Sequence, residues 1–163
     1  MDETQKEIVK ILQENSRLTN KEISDLLNIT ELQVEKKIRD LISSGIIRQF
    51  SLVLNENLIE GYPIKALVEL SVRPEKDTGF DSIAKRIYGY SEVVSHYLVS
   101  GDYDFLLVVQ GNDHKDIAHF VFDKLATINN VKSTTTHFIF KSYKENNVLM
   151  EEATVSTRLP ILP

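Results

Sequence analysis

The stretch from Glu92 to Gly111 constrains this chain more than any other. Two runs rich in β-branched and aromatic residues flank Gly101-Asp102, a turn pair, and that arrangement predicts a β-hairpin. Apolar residues occupy both parities of both runs: Val93, Tyr97 and Val99 against Val94 and Leu98, then Phe105, Leu107 and Val109 against Leu106 and Val108. A hairpin with one wet face alternates, whereas one apolar on both faces needs cover on both. The chain's own helices can cover one face, which leaves the other for a partner subunit. Asp102 and Asp104 stand where apolar strands begin, and a carboxylate there is costly unless it stays hydrated or finds a partner.

The remaining chain supplies the helices. Residues 2–15 read as an amphipathic helix, with Asp2 and Gln5 as a capping box and Ile8, Val9, Ile11 and Leu12 on one stripe. Thr19 with Glu22 and Thr30 with Gln33 form two further boxes, and Asn28 between them suits a left-handed stop. Val34, Ile38, Leu41 and Ile42 share a face of the third helix, which ends at Ser43-Ser44-Gly45. The second and third helices are joined by about three residues, the spacing of a helix-turn-helix. Ile46–Leu54 reads as a strand or small wing. This head is assigned residues 1–54 and is followed by a polar linker over residues 55–63.

From Ile64 the pattern changes. A strand over Ile64–Val72, a helix over Phe80–Tyr88, the hairpin, a helix from Asn112-Asp113 to Leu125 and a last strand over Val131–Phe140 give the order βαββαβ. The expected fold class is therefore α+β: an N-terminal winged helix-turn-helix and a C-terminal ferredoxin-like βαββαβ domain over residues 64–143. Residues 144–163 read as an extended tail that packs on the sheet or on a neighbour.

On the third helix, setting Val34 inward at about 100° per residue places Leu32, Gln33, Lys36, Arg39 and Asp40 outward, with Lys37 at the edge. Gln33 and Arg39 are the side chains suited to base edges, Leu32 to a thymine methyl, and Lys36, Lys37, Arg39 and Arg48 to phosphates. The same face, interrupted by Glu31, Glu35 and Asp40, also reads as an ordinary solvated surface. A net charge of -5 argues against indiscriminate coating of nucleic acid, though not against a local basic face.

These features together resemble the Lrp/AsnC, or feast/famine, family of transcription regulators. The resemblance is carried by the capped three-helix head, Ser44-Gly45-Ile46-Ile47, Leu54-Asn55, Gly61-Tyr62-Pro63, Ser100-Gly101-Asp102-Tyr103-Asp104, and Val131 followed by Thr134 and Thr136. It runs to about Tyr143. It implies a DNA-binding head and a C-terminal domain that assembles into dimers, often into octamers or larger sets, and senses small molecules, often amino acids. The resemblance also points to Gly101, Asp102, Tyr103, Asp104, Thr134 and Thr136 as effector contacts. A glycine turn can present backbone N–H groups to a carboxylate, with Asp104 taking an ammonium. Family members often carry serines and arginines where this chain has Glu31, Leu32 and Asp40, so its DNA sequence preference stays open.

Other chemistries find little support. The chain has no cysteine, and therefore no thiolate nucleophile or cysteine-based zinc site. His114 and His119 are five residues apart, unlike helical metal ligands. Asp102 and Asp104 lack a neighbouring nucleophile, and no Gly-rich phosphate loop is present. No enzyme activity, cofactor or metal is expected. No apolar run approaches the roughly 20 residues of a membrane span, and a cytoplasmic location is expected. The leading expectation is a sequence-specific DNA-binding regulator that responds to a small effector. The alternative is an effector-binding oligomer whose head has lost useful DNA affinity.

Overall fold

The structure of the protein is a computed structural model that describes residues 1–151. It divides into two compact units between Leu52 and Val53.

The first unit holds α1 (Glu3–Glu14), α2 (Asn20–Leu27) and α3 (Glu31–Ser43). All three expected capping boxes form, at Asp2 with Gln5, Thr19 with Glu22, and Thr30 with Gln33. Each box satisfies N–H groups that a helix start otherwise leaves without partners. Asn28 takes the left-handed conformation, φ 51°, and turns the chain into α3 within three residues. Ile8, Leu12, Ile23, Val34 and Leu41 form the small core. The segment Ile46–Leu54, expected as a strand or wing, carries no sheet pairing among the described residues. The head offers it no second strand, and Phe50 and Leu52 stand in solvent at 52% and 74% exposure.

The second unit begins with a short 3-10 turn, Glu56–Leu58, and continues through β1 (Ile64–Val72), α4 (Asp81–Tyr88), β2 (Val93–Leu98), β3 (Phe105–Gly111), α5 (His114–His119) and β4 (Val131–Phe138). The sheet order is β2-β3-β1-β4, antiparallel at every junction, as the βαββαβ reading requires. One face of each strand meets the helices. Val68, Leu70, Phe105, Leu107, Ile83, Ile87, Ile117 and Leu125 are sealed there. Gly111 permits the close approach of α5: a Cβ on it would lie 3.0 Å from Asp116 Cβ and from Ile117 Cγ1.

Four details depart from expectation. A bulge between Val93 and Ser95 resets the alternation of β2, so Val93, His96 and Leu98 share the helix-facing side with Val109, Leu107 and Phe105. Tyr97 therefore lies opposite Leu106 on the other face, and does not share a side with Val93. The helix expected through Leu125 is α-helical only to His119 and then widens into a π-helical segment, Phe120–Leu125. That wider turn leaves Phe122 70% exposed while Phe120, Val121 and Leu125 are buried. β4 stops at Phe138, two residues short of the expected Phe140. Finally, the start of the tail is not a plain extended segment. β5 (Lys144–Glu145) and β6 (Val148–Leu149) form a hairpin through Asn146 and Asn147, whose φ values of 45° and 69° are those of a tight two-residue turn. Residues 152–163 lie outside the described residues.

The uncovered face of the sheet is mixed rather than uniformly apolar. Leu67, Leu106, Val108 and Tyr97 make an apolar band, while Glu69, Ser133, Thr135 and His137 line the β4 side, with His137 Nε2 3.1 Å from Glu69 Oε1.

Candidate functional site

Two regions carry the expected functional side chains, one in each unit. On α3, Leu32 is 74% exposed, and Gln33, Lys36 and Arg39 are exposed beside it. Their freedom differs. Gln33 Oε1 accepts from the Thr30 N–H at 2.9 Å and from its hydroxyl at 3.0 Å, so this amide is engaged in the capping box. Arg39 pairs with Glu35 one turn earlier. Lys37 is half-buried, and its Nζ donates to Asp2 Oδ2 at 2.7 Å, tying α3 to the cap of α1. That hydrogen bond from Lys37, reinforced by the Gln5 N–H, holds the Asp2 carboxyl below its ordinary range. Lys36 has no ion-pair partner among the described residues, and Arg48 is exposed just beyond Gly45. Lys36, Arg39 and Arg48 thus remain accessible to phosphates, whereas Lys37 is committed elsewhere.

In the second unit the hairpin loop runs from Val99 to Asp104 and is closed by Val99 N–H donating to Asp104 O at 2.9 Å. Gly101 at its tip has φ 147°, inside the left-handed range that favours glycine. Asp102 is exposed; Tyr103 and Asp104 are half-buried. Asp104 already has local work. Its N–H donates to Leu70 O at 2.9 Å, and its Oδ2 accepts from Val72 N–H at 2.8 Å. The β1–β3 pairing ends at Leu70 opposite Phe105, so the carboxylate satisfies an N–H of β1 that lies just beyond that ladder. The other oxygen, Oδ1, has no protein partner among the described residues.

Thr134 and Thr136 lie in register with Leu70 and Val68, and so point toward the helix-facing side. β1 separates them from the hairpin: Leu70 pairs with Phe105 on one flank and Thr134 on the other. Asp104 and Thr134 are thus two strand spacings apart, roughly 10 Å. The structure brings the four loop residues together and keeps both threonines apart from them within one chain. The long-range bond from Val72 to Asp104 was not visible in the sequence, since no local pattern marks a contact across 32 residues.

A capped helix-turn-helix joined to a βαββαβ domain points to a class: a DNA-binding transcriptional regulator. Comparison with known proteins makes this specific. The family described as Lrp/AsnC ligand binding domain matches residues 65–149, and the winged helix-turn-helix DNA-binding family matches residues 1–48. The chain belongs to the Lrp/AsnC family. It is 37% identical over its whole length to the uncharacterized HTH-type transcriptional regulator YugG of Bacillus subtilis, covering 99% of that protein. It is 29% identical to the HTH-type transcriptional regulator FL11 of Pyrococcus furiosus, over 91% of this chain and 95% of that one. Among solved structures, a transcriptional regulator of Neisseria meningitidis in complex with L-methionine is 29% identical, with a TM-score of 0.71 over 89% of this chain and 93% of that one. These relatives are transcriptional regulators, not enzymes. Among the described residues no helix is long and apolar enough to cross a membrane.

Proposed function

We propose that this regulator binds a specific operator as a dimer in the cytoplasm and that an α-amino acid, held at the Gly101–Asp104 turn, controls its assembly or its grip on DNA. The observation that carries the effector reading is Asp104 Oδ1, without a protein partner among the described residues, at a glycine turn at the mouth of an apolar strand. Backbone N–H groups of the turn would take the ligand carboxylate and Asp104 its ammonium. The L-methionine bound to the Neisseria meningitidis regulator supports an amino acid as the ligand class. Thr134 and Thr136, two strands away, would reach such a ligand only from a second subunit. The apolar band of the uncovered sheet face separately supports a dimer, because a second copy packed on it by two-fold symmetry would remove it from water. Further association into octamers would follow the family pattern.

Two variants separate the carboxylate's two roles. Asp104→Asn keeps an oxygen for the Val72 N–H and discards the charge; Asp104→Ala discards both. Calorimetry with the common amino acids is expected to show Asp104→Asn binding roughly tenfold or more weakly than wild type, the scale of one charge-assisted hydrogen bond. Equal affinity in the two proteins removes Asp104 from the site. Heat from none of the amino acids leaves the turn purely structural. Sedimentation of the whole protein as a monomer at micromolar concentration contradicts the dimer.

A further inference from the structure

At the opposite end of the sheet from the Gly101 turn lies a small cavity of ≈ 190 Å³. The 3-10 turn Glu56–Leu58 and the chain around the β5–β6 hairpin close it, and they are tied together: Asn55 Nδ2 donates to Met150 O at 2.6 Å and Asn57 Nδ2 to Ser142 O at 3.5 Å. In its wall Lys65 Nζ donates to Glu56 Oε1 at 2.5 Å, with the two side chains only 18% and 25% exposed.

A largely buried ion pair is a poor stabiliser unless its remaining lone pairs and protons are also satisfied. Here the protein satisfies only some of them: Lys65 has three N–H donors and spends one on Glu56, and Glu56 Oε2 has no protein partner among the described residues but reaches solvent. The rest of the wall is mixed: Ile59, Ile139 and Met150 stand with Asn57, Lys141, Ser142 and Glu145. A cation and an anion with spare capacity, close together and beside Ile59, Ile139 and Met150, match a zwitterion with an apolar side chain. The volume lies below the roughly 300 Å³ at which drug-sized pockets begin, which excludes nucleotides and peptides.

We propose that this cavity is a second small-molecule site that takes an α-amino acid with an apolar side chain. Lys65 receives its carboxylate, Glu56 its ammonium, and Ile59, Ile139 and Met150 its side chain. The site is independent of the effector reading above. Lys65 pairs with Gln110 and Leu70 with Phe105, so the two ends lie five residues apart on β1, roughly 17 Å. One amino acid cannot occupy both.

The chain contains no tryptophan, so Tyr62→Trp places a single fluorophore in the cavity wall. Titration with L-valine, L-leucine and L-methionine is expected to give a saturable fluorescence change with at least one of them. Removing one ligand charge, as in the amide of that amino acid or its deaminated acid, is expected to weaken binding about tenfold or more. Glu56→Gln combined with Lys65→Met removes both charges without stranding either, and is expected to abolish the change. Should Tyr62→Trp fill the cavity or misfold, methyl NMR of Ile59, Ile139 and Met150 in the wild-type protein reads the same event. No shift in either experiment overturns the site, as does equal binding of the amide or the deaminated acid. Calorimetric heat without fluorescence or methyl change also overturns it, while leaving the Gly101 turn as the binding site.

Discussion

Replacing Lys36, Arg39 and Arg48 together with alanine is expected to weaken operator binding roughly hundredfold or more and to flatten its salt dependence. Each phosphate neutralised by a side chain releases condensed counterions, so losing three contacts should make the log–log salt slope shallower by about 2.7. Lys36 and Arg48 are exposed, and Lys36 has no ion-pair partner among the described residues. Arg39 must first leave Glu35, but an exposed i,i+4 pair is worth only about 0.3–0.5 kcal/mol. If Arg39 also reads a base, its loss adds about 1–3 kcal/mol. Lys37 is left out of the set because its bond to Asp2 spans α3 and α1, and its removal would confuse folding with binding. The three replaced side chains lie on the surface, so stability should hold within about 0.5 kcal/mol. Fluorescence anisotropy on operator DNA at several salt concentrations measures both quantities. An unchanged slope places the DNA contact on another surface.

The largest stability effect is expected from Phe105→Ala. Phe105 is 1% exposed and packs edge-on against Phe80, with ring centroids 5.7 Å apart, and against His96 at 4.6 Å. Truncating a buried phenylalanine loses its transfer free energy and leaves a cavity, together about 3–5 kcal/mol. The residue also follows Asp104, so the effector turn would loosen with the core. His96 adds a pH signature. Burial holds its pKa below the ordinary value, so the folded state resists protonating it. With the folded pKa depressed, the unfolded chain binds the proton more readily, and stability falls as pH drops below the unfolded value of about 6.5. Phe105→Ala opens one side of that ring and should shrink this dependence. Urea unfolding at pH 5 and pH 8, with Leu149→Ala as an exposed control, measures both effects. A loss below about 1 kcal/mol for Phe105→Ala would mean that the core is not packed as described.

Local chemistry explains what could be read beforehand. A capping box is two side chains three residues apart, so Asp2, Thr19 and Thr30 announced three helix starts that the structure reproduces. The strand order followed from the alternation of helix and strand patterns, read as the usual arrangement of a βαββαβ sheet. The bulge at Val93 and Ser95 escaped because no residue type marks it, and it reversed the facing assigned to Tyr97. The β5–β6 turn had a signal in Asn146-Asn147, but strands of two residues are too short to show alternation. The site was legible as a loop and less so as a mechanism. Gly101–Asp104 stood out as polar residues amid apolar runs, whereas the use of Asp104 by Val72, of Gln33 by Thr30 and of Lys37 by Asp2 depends on how the atoms meet. The Lys65–Glu56 pair was equally hidden, because nine residues and a change of direction separate its members.

The central claim is that the head reads DNA and the second unit governs that reading through a small molecule. Recovering the DNA cross-linked to the protein in cells, and sequencing it before and after adding the amino acid that binds best, tests this most directly. The account expects a limited set of sites sharing a roughly palindromic sequence, with half-sites about one helical turn or a multiple of it apart, and occupancy that changes with the amino acid. Fragments scattered without a shared sequence, and unchanged by the amino acid, would contradict it and favour an effector-binding oligomer whose head no longer grips DNA.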